Sequence, residues 1–310
     1  TGLSQVDKIV RGLKNTELML CAASVGQGKT TFALNMIYQA IEAGWNCCFI
    51  TLEMPFHAIR KMIYILHSCN PKFLKTQYKN LVGSLDFDKV NFGSLTKEEE
   101  DFFNFVMDDL DTCSNDGTYG RLYLWQPSGA ITTVTDVELK LREVQSLFRE
   151  YDKNLEFAVI DYISLLGVDK DNKQKDNNEN LNFIIKQLKQ LCLKFNNGQG
   201  LRMLSPFQVN RAGLAEADKN GGIYNTSALS NAHEAERSAD VVISLYMDRV
   251  MRTENQVKIC CLKHRMGEFF SPFNAAINFK CRYIYDYFGG ELGDNVEVYK
   301  GTIEDIGEML

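Results

Sequence analysis

"CAASVGQGKTTFALNM", running from Cys21 to Met36, passes from an apolar run through a small-residue turn into a helix. Residues 18–23 are apolar and of strand length, and 24–28 are turn-prone. From Lys29 onward, Phe32, Leu34, Ile37 and Ile41 fall near helical spacing. Ala23 to Thr30 matches the phosphate-loop pattern G-x-x-x-x-G-K-[ST], except that Ala23 replaces the first glycine. Gly26 and Gly28 let the backbone turn so that successive N–H groups converge on an anion. The helix behind them turns its positive end toward the same anion. Lys29 supplies a mobile cation for the β- and γ-phosphates, and Thr30 a hydroxyl for Mg²⁺. ATP with Mg²⁺ is the expected ligand, held by Ser24, Val25, Gly26, Gln27, Gly28, Lys29, Thr30 and Thr31.

Hydrolysis needs more than a cradle. Residues 157–160 form an apolar strand that ends at Asp161, and 203–208 another that ends at Gln208. Polar groups at the C-terminal ends of buried strands lie where open α/β sheets bind ligands. Asp161 is thus the expected second Mg²⁺ ligand beside Thr30, and Gln208 is placed to sense the γ-phosphate. A further strand leads to Glu53 and is closed by Pro55; a carboxylate at that height can orient or deprotonate the attacking water.

Composition sets the frame. The chain has 310 residues, 45% hydrophobic and 24% charged, with five prolines, which is ordinary globular usage. It reads as one large domain with insertions. No apolar run approaches the ~20 residues needed to cross a bilayer, and no signal pattern opens the chain. The start at Thr1 without Met reads as a processed product or an excised domain. Nine cysteines lie scattered without a C-x-x-C pair, so a reducing cytoplasm is expected, with neither disulfides nor zinc. His233 and His264 are given no metal for the same reason. A net charge of −6 excludes a uniformly basic coat but not a local basic channel.

With these residues assembled, the chain resembles the ATPase domain of hexameric replicative helicases, the bacterial DnaB type and its phage relatives, which is built on a RecA-like core. The opening TGLSQVDKIVRGL, residues 1–13, is similar to the family's T-G-x-x-x-L-D start. Thr51-Leu52-Glu53-Met54 looks like its S-L-E-M, Ile160-Asp161-Tyr162 matches its I-D-Y, and Phe207-Gln208-Val209-Asn210-Arg211 resembles its S-Q-L-N-R. Residues 235–242, AERSADVV, resemble I-E-Q-D-A-D-V-V, and Lys263-His264-Arg265-Met266-Gly267 resembles K-Q-R-N-G. The matches run in order through most of the chain.

The resemblance implies an α/β fold: a RecA-like core with a mainly parallel twisted sheet flanked by helices and antiparallel C-terminal strands. Strands are expected near 18–23, 48–52, 122–125, 157–161, 203–208, 241–246, 257–263, 275–279 and 283–287. It implies a single ATPase domain over 1–310 without the family's N-terminal domain, acting in the cytoplasm of a bacterial or phage-infected cell. Glu53 becomes the catalytic glutamate, and Lys263 and Arg265 a basic pair that reaches the neighbouring subunit's nucleotide. Such a trans contact requires a head-to-tail interface, closing into a ring, most simply a hexamer, or winding into a filament.

Single-stranded DNA is the implied partner, touched by two polar segments. The first offers Lys170, Lys173 and Lys175; the second, residues 210–234, reads as a flexible run carrying Arg211 and Lys219. The family's usual arginine before I-E-Q is missing, because Leu229-Ser230-Asn231-Ala232-His233 stands there. Residues 66–118, acidic and aromatic-rich, read as a helical insertion, with a primase or loader surface as the sharper alternative. Within it, Lys97–Asp101 and the acids Asp108, Asp109 and Asp111 read as an exposed helix face and its end. The function implied is an ATP-dependent replicative DNA helicase motor. A recombinase-like ATPase filament and a helicase-derived assembly scaffold without unwinding remain as alternatives.

Overall fold

β1 (Leu18–Ala23) is buried along its whole length, as a near-continuous apolar run demands when both faces of a sheet are covered. A computed structural model describes residues 1–129, 131–169, 171, 176–229 and 233–287. Around β1 it builds a nine-stranded sheet in the order β3-β2-β4-β5-β1-β6-β7-β8-β9. β2 (Cys47–Thr51), β3 (Leu122–Trp125), β4 (Phe157–Asp161), β5 (Arg202–Gln208) and β6 (Val241–Tyr246) run parallel with β1. β7 (Gln256–His264), β8 (Phe273–Asn278) and β9 (Tyr283–Asp286) complete the sheet antiparallel. Only a short link separates β6 from β7, which a parallel crossover of a dozen or more residues could not use.

The chain steps one way from β1 through β2 to β3, then back through β4, β5 and β6. Right-handed crossovers therefore put α2 (Lys29–Glu42) and α3 (Phe56–His67) on one face and α6 (Val134–Arg149) and α7 (Asn177–Gly198) on the other. α1 (Ser4–Val10) precedes β1. Among the described residues no helix is long and apolar enough to cross a membrane.

The expected insertion is helical. α4 (Phe87–Phe92) and α5 (Lys97–Asp116) close over a second small core of Ile65, Phe73, Phe102 and Val106. Asp109, expected on a solvated face, is instead half-buried: its carboxylate accepts from His67 Nε2 at 2.8 Å and pairs with Lys72. The Nδ1 of the same imidazole meets the Tyr38 hydroxyl of α2 at 3.0 Å, tying the insertion to the core. Asp108 and Asp111 are exposed.

Two further expectations need correction. The run after β5 is not loop from its start: residues 211–219 form α8 (Arg211–Lys219), capped by Asn210, whose side chain accepts the Gly213 N–H at 2.7 Å. β8 begins two residues earlier than its apolar pattern suggests, since Phe273 pairs with Ile259, and it ends before Phe279. Asn278 then accepts the N–H groups of Lys280 and Cys281, turning the chain so that Phe279 leaves the sheet. α9 (His233–Ser238) and α10 (Arg249–Thr253) flank β6.

Candidate nucleotide site

The C-terminal ends of β1, β2, β4 and β5 open into one cleft of about 340 Å³. β1 delivers the phosphate loop. Gly26 and Gly28 take φ of 73° and 87°, the left-handed region that other residues resist. A Cβ on Gly26 would meet nothing within 4 Å, so conformation rather than crowding requires glycine there. Lys29 folds back, its ammonium donating to the carbonyls of Ala23 (3.2 Å) and Ser24 (2.7 Å). Burial lowers its pKa, and nearby groups, the Asp161 and Glu53 carboxylates among them, oppose that.

β2 and β4 bring the acids together. Thr51 lies beside Asp161 in the ladder. Its hydroxyl donates to the Met54 carbonyl at 2.6 Å and accepts the Met54 N–H at 3.1 Å. That closed turn leaves Glu53 exposed on the cleft wall. Asp161 is 1% exposed, and neither carboxylate oxygen accepts a hydrogen bond. Burial pushes its pKa up to about 6; Thr30 and Lys29 pull it down, and Glu53 adds to the rise. The Thr30 hydroxyl thus lies close enough to influence the carboxylate without making a well-formed bond to it. A buried acid with both oxygens unengaged beside a threonine hydroxyl is a donor set that fits a hard divalent cation.

β5 places Gln208 beside Ala23 and exposed to the cleft. Ser205 braces this corner, donating to the Ile160 carbonyl at 2.7 Å and accepting the Ile163 N–H at 3.0 Å. Ser24 and Gln27, expected among the nucleotide contacts, do not line the cleft. Gln27 is buried, and its side chain faces inward.

One part of the cleft lining was not anticipated. Arg252, Phe279 and Arg282 belong to it. The Arg252 guanidinium donates to the Gly26 carbonyl at 2.8 Å and lies 5.6 Å from the centre of the Phe279 ring. Asn35 of α2 donates to the Arg282 carbonyl at 2.8 Å, fixing this part of the lining to the helix that follows the phosphate loop. No motif marks these residues, because they come from the antiparallel end of the sheet.

A family model described as the DnaB-like helicase C terminal domain matches residues 1–282. The chain belongs to this family. It is similar to the replicative DNA helicase DnaB of Geobacillus stearothermophilus, 24% identical over 299 residues, which cover 91% of this chain and 57% of that protein. The DnaB of Haemophilus influenzae is 26% identical over 263 residues, covering 83% and 48%. A solved structure titled as a DnaB-like replicative helicase and its interactions with primase shares the fold, with a TM-score of 0.73 at 18% identity over 93% of this chain and 61% of that one. The chain spans about half the length of the curated relatives it matches.

In this DnaB-like domain the basic pair stands apart from the cleft. Val241 and Val242 at the start of β6 pair with His264 and Lys263, and Val241 lies beside Met19 near the start of β1. Lys263 and Arg265 therefore sit at the end of the sheet away from the phosphate loop, roughly 15 Å along the strands. Lys263 donates to the carbonyls of Glu236 and Arg237, and Arg265 to those of Arg237, Ser238 and Ala239. The Arg265 Nε is also 3.1 Å from the Asp240 carboxylate, which accepts the Leu18 N–H at 2.9 Å and Lys189 at 2.6 Å. Of the expected DNA contacts, Arg211 and Lys219 stand exposed at the two ends of α8. Lys170, Lys173 and Lys175 lie outside the described residues, as do Ser230, Asn231 and Ala232.

Proposed function

We propose that this chain is the ATP-driven motor domain of a replicative DNA helicase, hydrolysing ATP between subunits and moving along single-stranded DNA to separate the duplex. The observation that carries the reading is a division across one sheet. Lys29, Thr30, Glu53, Asp161 and Gln208 converge on one cleft, while Lys263 and Arg265 sit at the opposite end. No single copy brings the two sets together, so a head-to-tail neighbour supplies the missing cations.

In that arrangement the N–H groups of the phosphate loop cradle the phosphates. Lys29 exchanges its two carbonyl partners for phosphate oxygens. Thr30 and Asp161 would hold Mg²⁺, which would supply positive charge to neutralise the phosphates. Glu53 orients the attacking water and accepts its proton. Gln208 touches the γ-phosphate and carries its presence to α8. Arg265 and Lys263 of the next subunit meet the charge that spreads over the transferred phosphoryl group; the fixed fork of donors suits the arginine to that task. The exposed Arg211 and Lys219 contact the strand through its phosphates. Primase or a loader is the proposed protein partner, and the cytoplasm of a bacterial or phage-infected cell the place of action.

The test is ATP hydrolysis with and without a short DNA single strand, at low and at higher salt, beside Lys29→Ala. Stimulation that fades with salt is expected, as backbone binding through counterion release requires. Hydrolysis indifferent to DNA at every protein concentration would remove the helicase reading and leave an assembly ATPase.

A further inference from the structure

α8 is attached to the phosphate loop at both of its ends. The first attachment is direct: α8 follows β5, and the Val209 N–H donates to the Ala23 carbonyl at 3.2 Å where the loop begins. The second is made by Tyr224, in the turn that follows α8. This residue is 1% exposed although it lies in a polar run. Its hydroxyl donates to Gln27 Oε1 at 2.7 Å. The same oxygen accepts the Ser24 N–H at 3.3 Å, and Gln27 Nε2 donates to the Met247 carbonyl at 3.4 Å. Two donors on one side of the amide and a carbonyl on the other fix which way Gln27 faces. Burial raises the Tyr224 pKa well above the neutral range, so the phenol stays a donor.

The surroundings join the turn that holds Tyr224 to the end of α8 through side chains of β6 and β7. Gly222 has φ of +83°, and a Cβ there would meet the Tyr246 ring at 2.3 Å, so the turn is pressed onto that ring. Tyr246 in turn donates to Asp218 of α8 at 2.8 Å, and Lys258 donates to the Gly221 carbonyl. α8, its following turn and Tyr224 thus form one packed unit. That unit carries Arg211 and Lys219 on its outside and ends on the inside of the phosphate loop.

We propose that Tyr224 is a positioning residue that, through Gln27, couples nucleic acid bound along α8 to the set of the phosphate loop, and hence to nucleotide affinity. The inference rests on the proposed function and deepens it. Gln208 reads the γ-phosphate from the front of the cleft, whereas Tyr224 acts on the loop from behind and touches no ligand. A shift of α8 moves the Tyr224 hydroxyl, which moves Gln27 and the Ser24 N–H with it. Because coupling between two sites is reciprocal, a bound nucleotide must also change how firmly the turn after α8 is held.

The experiment uses the Tyr224→Phe variant, which keeps the ring and removes one hydroxyl. In the parent, single-stranded DNA is expected to lower the KM for ATP by about fivefold or more, within the usual span of allosteric coupling. In the variant that factor falls below about twofold, and the readout is the ratio of KM without DNA to KM with DNA within each protein rather than either value alone. Hydrogen exchange at residues 221–229, with and without a non-hydrolysable ATP analogue, tests the same link without DNA. Protection is expected to change on nucleotide binding in the parent and not in the variant. Equal, measurable DNA coupling in both proteins, or an exchange response that is absent from the parent or survives in the variant, overturns the inference and leaves the helicase reading standing. A parent that never responds to DNA overturns the helicase reading and this inference with it, whatever the exchange comparison shows.

Discussion

The two ends of the central sheet hold their cations in the same manner and differ in what surrounds them. At the cleft, Lys29 rests on the carbonyls of Ala23 and Ser24. At the far end, Lys263 and Arg265 rest on the closing carbonyls of α9. Carbonyl oxygens satisfy a cation while leaving it ready to exchange them for phosphate oxygens. Around Lys29, however, stand the glycine turn, the helix end, two acids and an amide. Among the described residues, the acid paired with Arg265 is Asp240, itself shared with Lys189 and the Leu18 N–H. Under the proposed function, one end is a site awaiting a neighbour's cations and the other supplies them.

The strongest attempt to break this comparison is Arg265→Ala. Hydrolysis is expected to fall about 10³-fold or more, as loss of a phosphoryl-transfer arginine does, with ATP binding by the phosphate loop retained. Mixing this variant with Lys29→Ala should restore part of the activity, because some interfaces then combine an intact cleft with an intact arginine. A mixture as inactive as its components would mean that the arginine does not act across an interface.

Glu53→Gln sharpens the cleft side. It keeps the shape and removes the proposed base, so kcat should drop about 10²-fold or more while nucleotide binding, read by a fluorescent ATP analogue, persists. Equal losses in binding and turnover would make Glu53 a structural residue.

Asp161→Asn separates stability from function. The folded-state pKa of Asp161 is raised to about 6 from the usual 3.8, so between those values the folded chain binds more protons than the unfolded one. Stability from this group is therefore present at pH 4 and lost as pH rises through 6, by on the order of 2–3 kcal/mol. The variant should melt higher than the parent at pH 7.5 without nucleotide, and the gap should close near pH 4. The same substitution should remove the dependence of ATP binding on Mg²⁺. A variant less stable than the parent at pH 7.5 would show that Asp161 is already compensated in the fold.

The smallest effect belongs to Arg252→Ala. Losing its bond to Gly26 and its contact with Phe279 should weaken ATP binding about fivefold, the worth of roughly one hydrogen bond. An unchanged affinity in titration calorimetry would leave Arg252 outside the nucleotide site.

Much of this was legible in the sequence for one physical reason. Strands buried on both faces read as unbroken apolar runs, and the first polar residue after each run falls at the sheet's edge. That is why Asp161 and Gln208, each closing such a run, stood out before the fold was seen, whereas Lys29 was read from the phosphate-loop pattern and the role of Glu53 from the resemblance to S-L-E-M. α8 was not legible, because its polar sequence carries little periodicity and its start depends on the Asn210 cap and on Gly213 packing against Ala228. Asp109 looked like any acid on a charged helix; only the fold brings His67 and Lys72 to it. Tyr224 and Arg252 escaped for the same reason, since each meets the phosphate loop across more than 190 residues of chain.

Under the proposed function, the placement of Lys263 and Arg265 at the opposite end of β1 from the cleft gives each molecule a direction, with one end that donates and one that receives. Two copies joined by a twofold axis would pair donor with donor or receiver with receiver, leaving every cleft incomplete. An open string of molecules would always end in one unserved cleft, whereas a closed ring has none. Turnover per molecule should therefore climb with concentration and level off when rings close, so the activity curve itself becomes a measure of assembly.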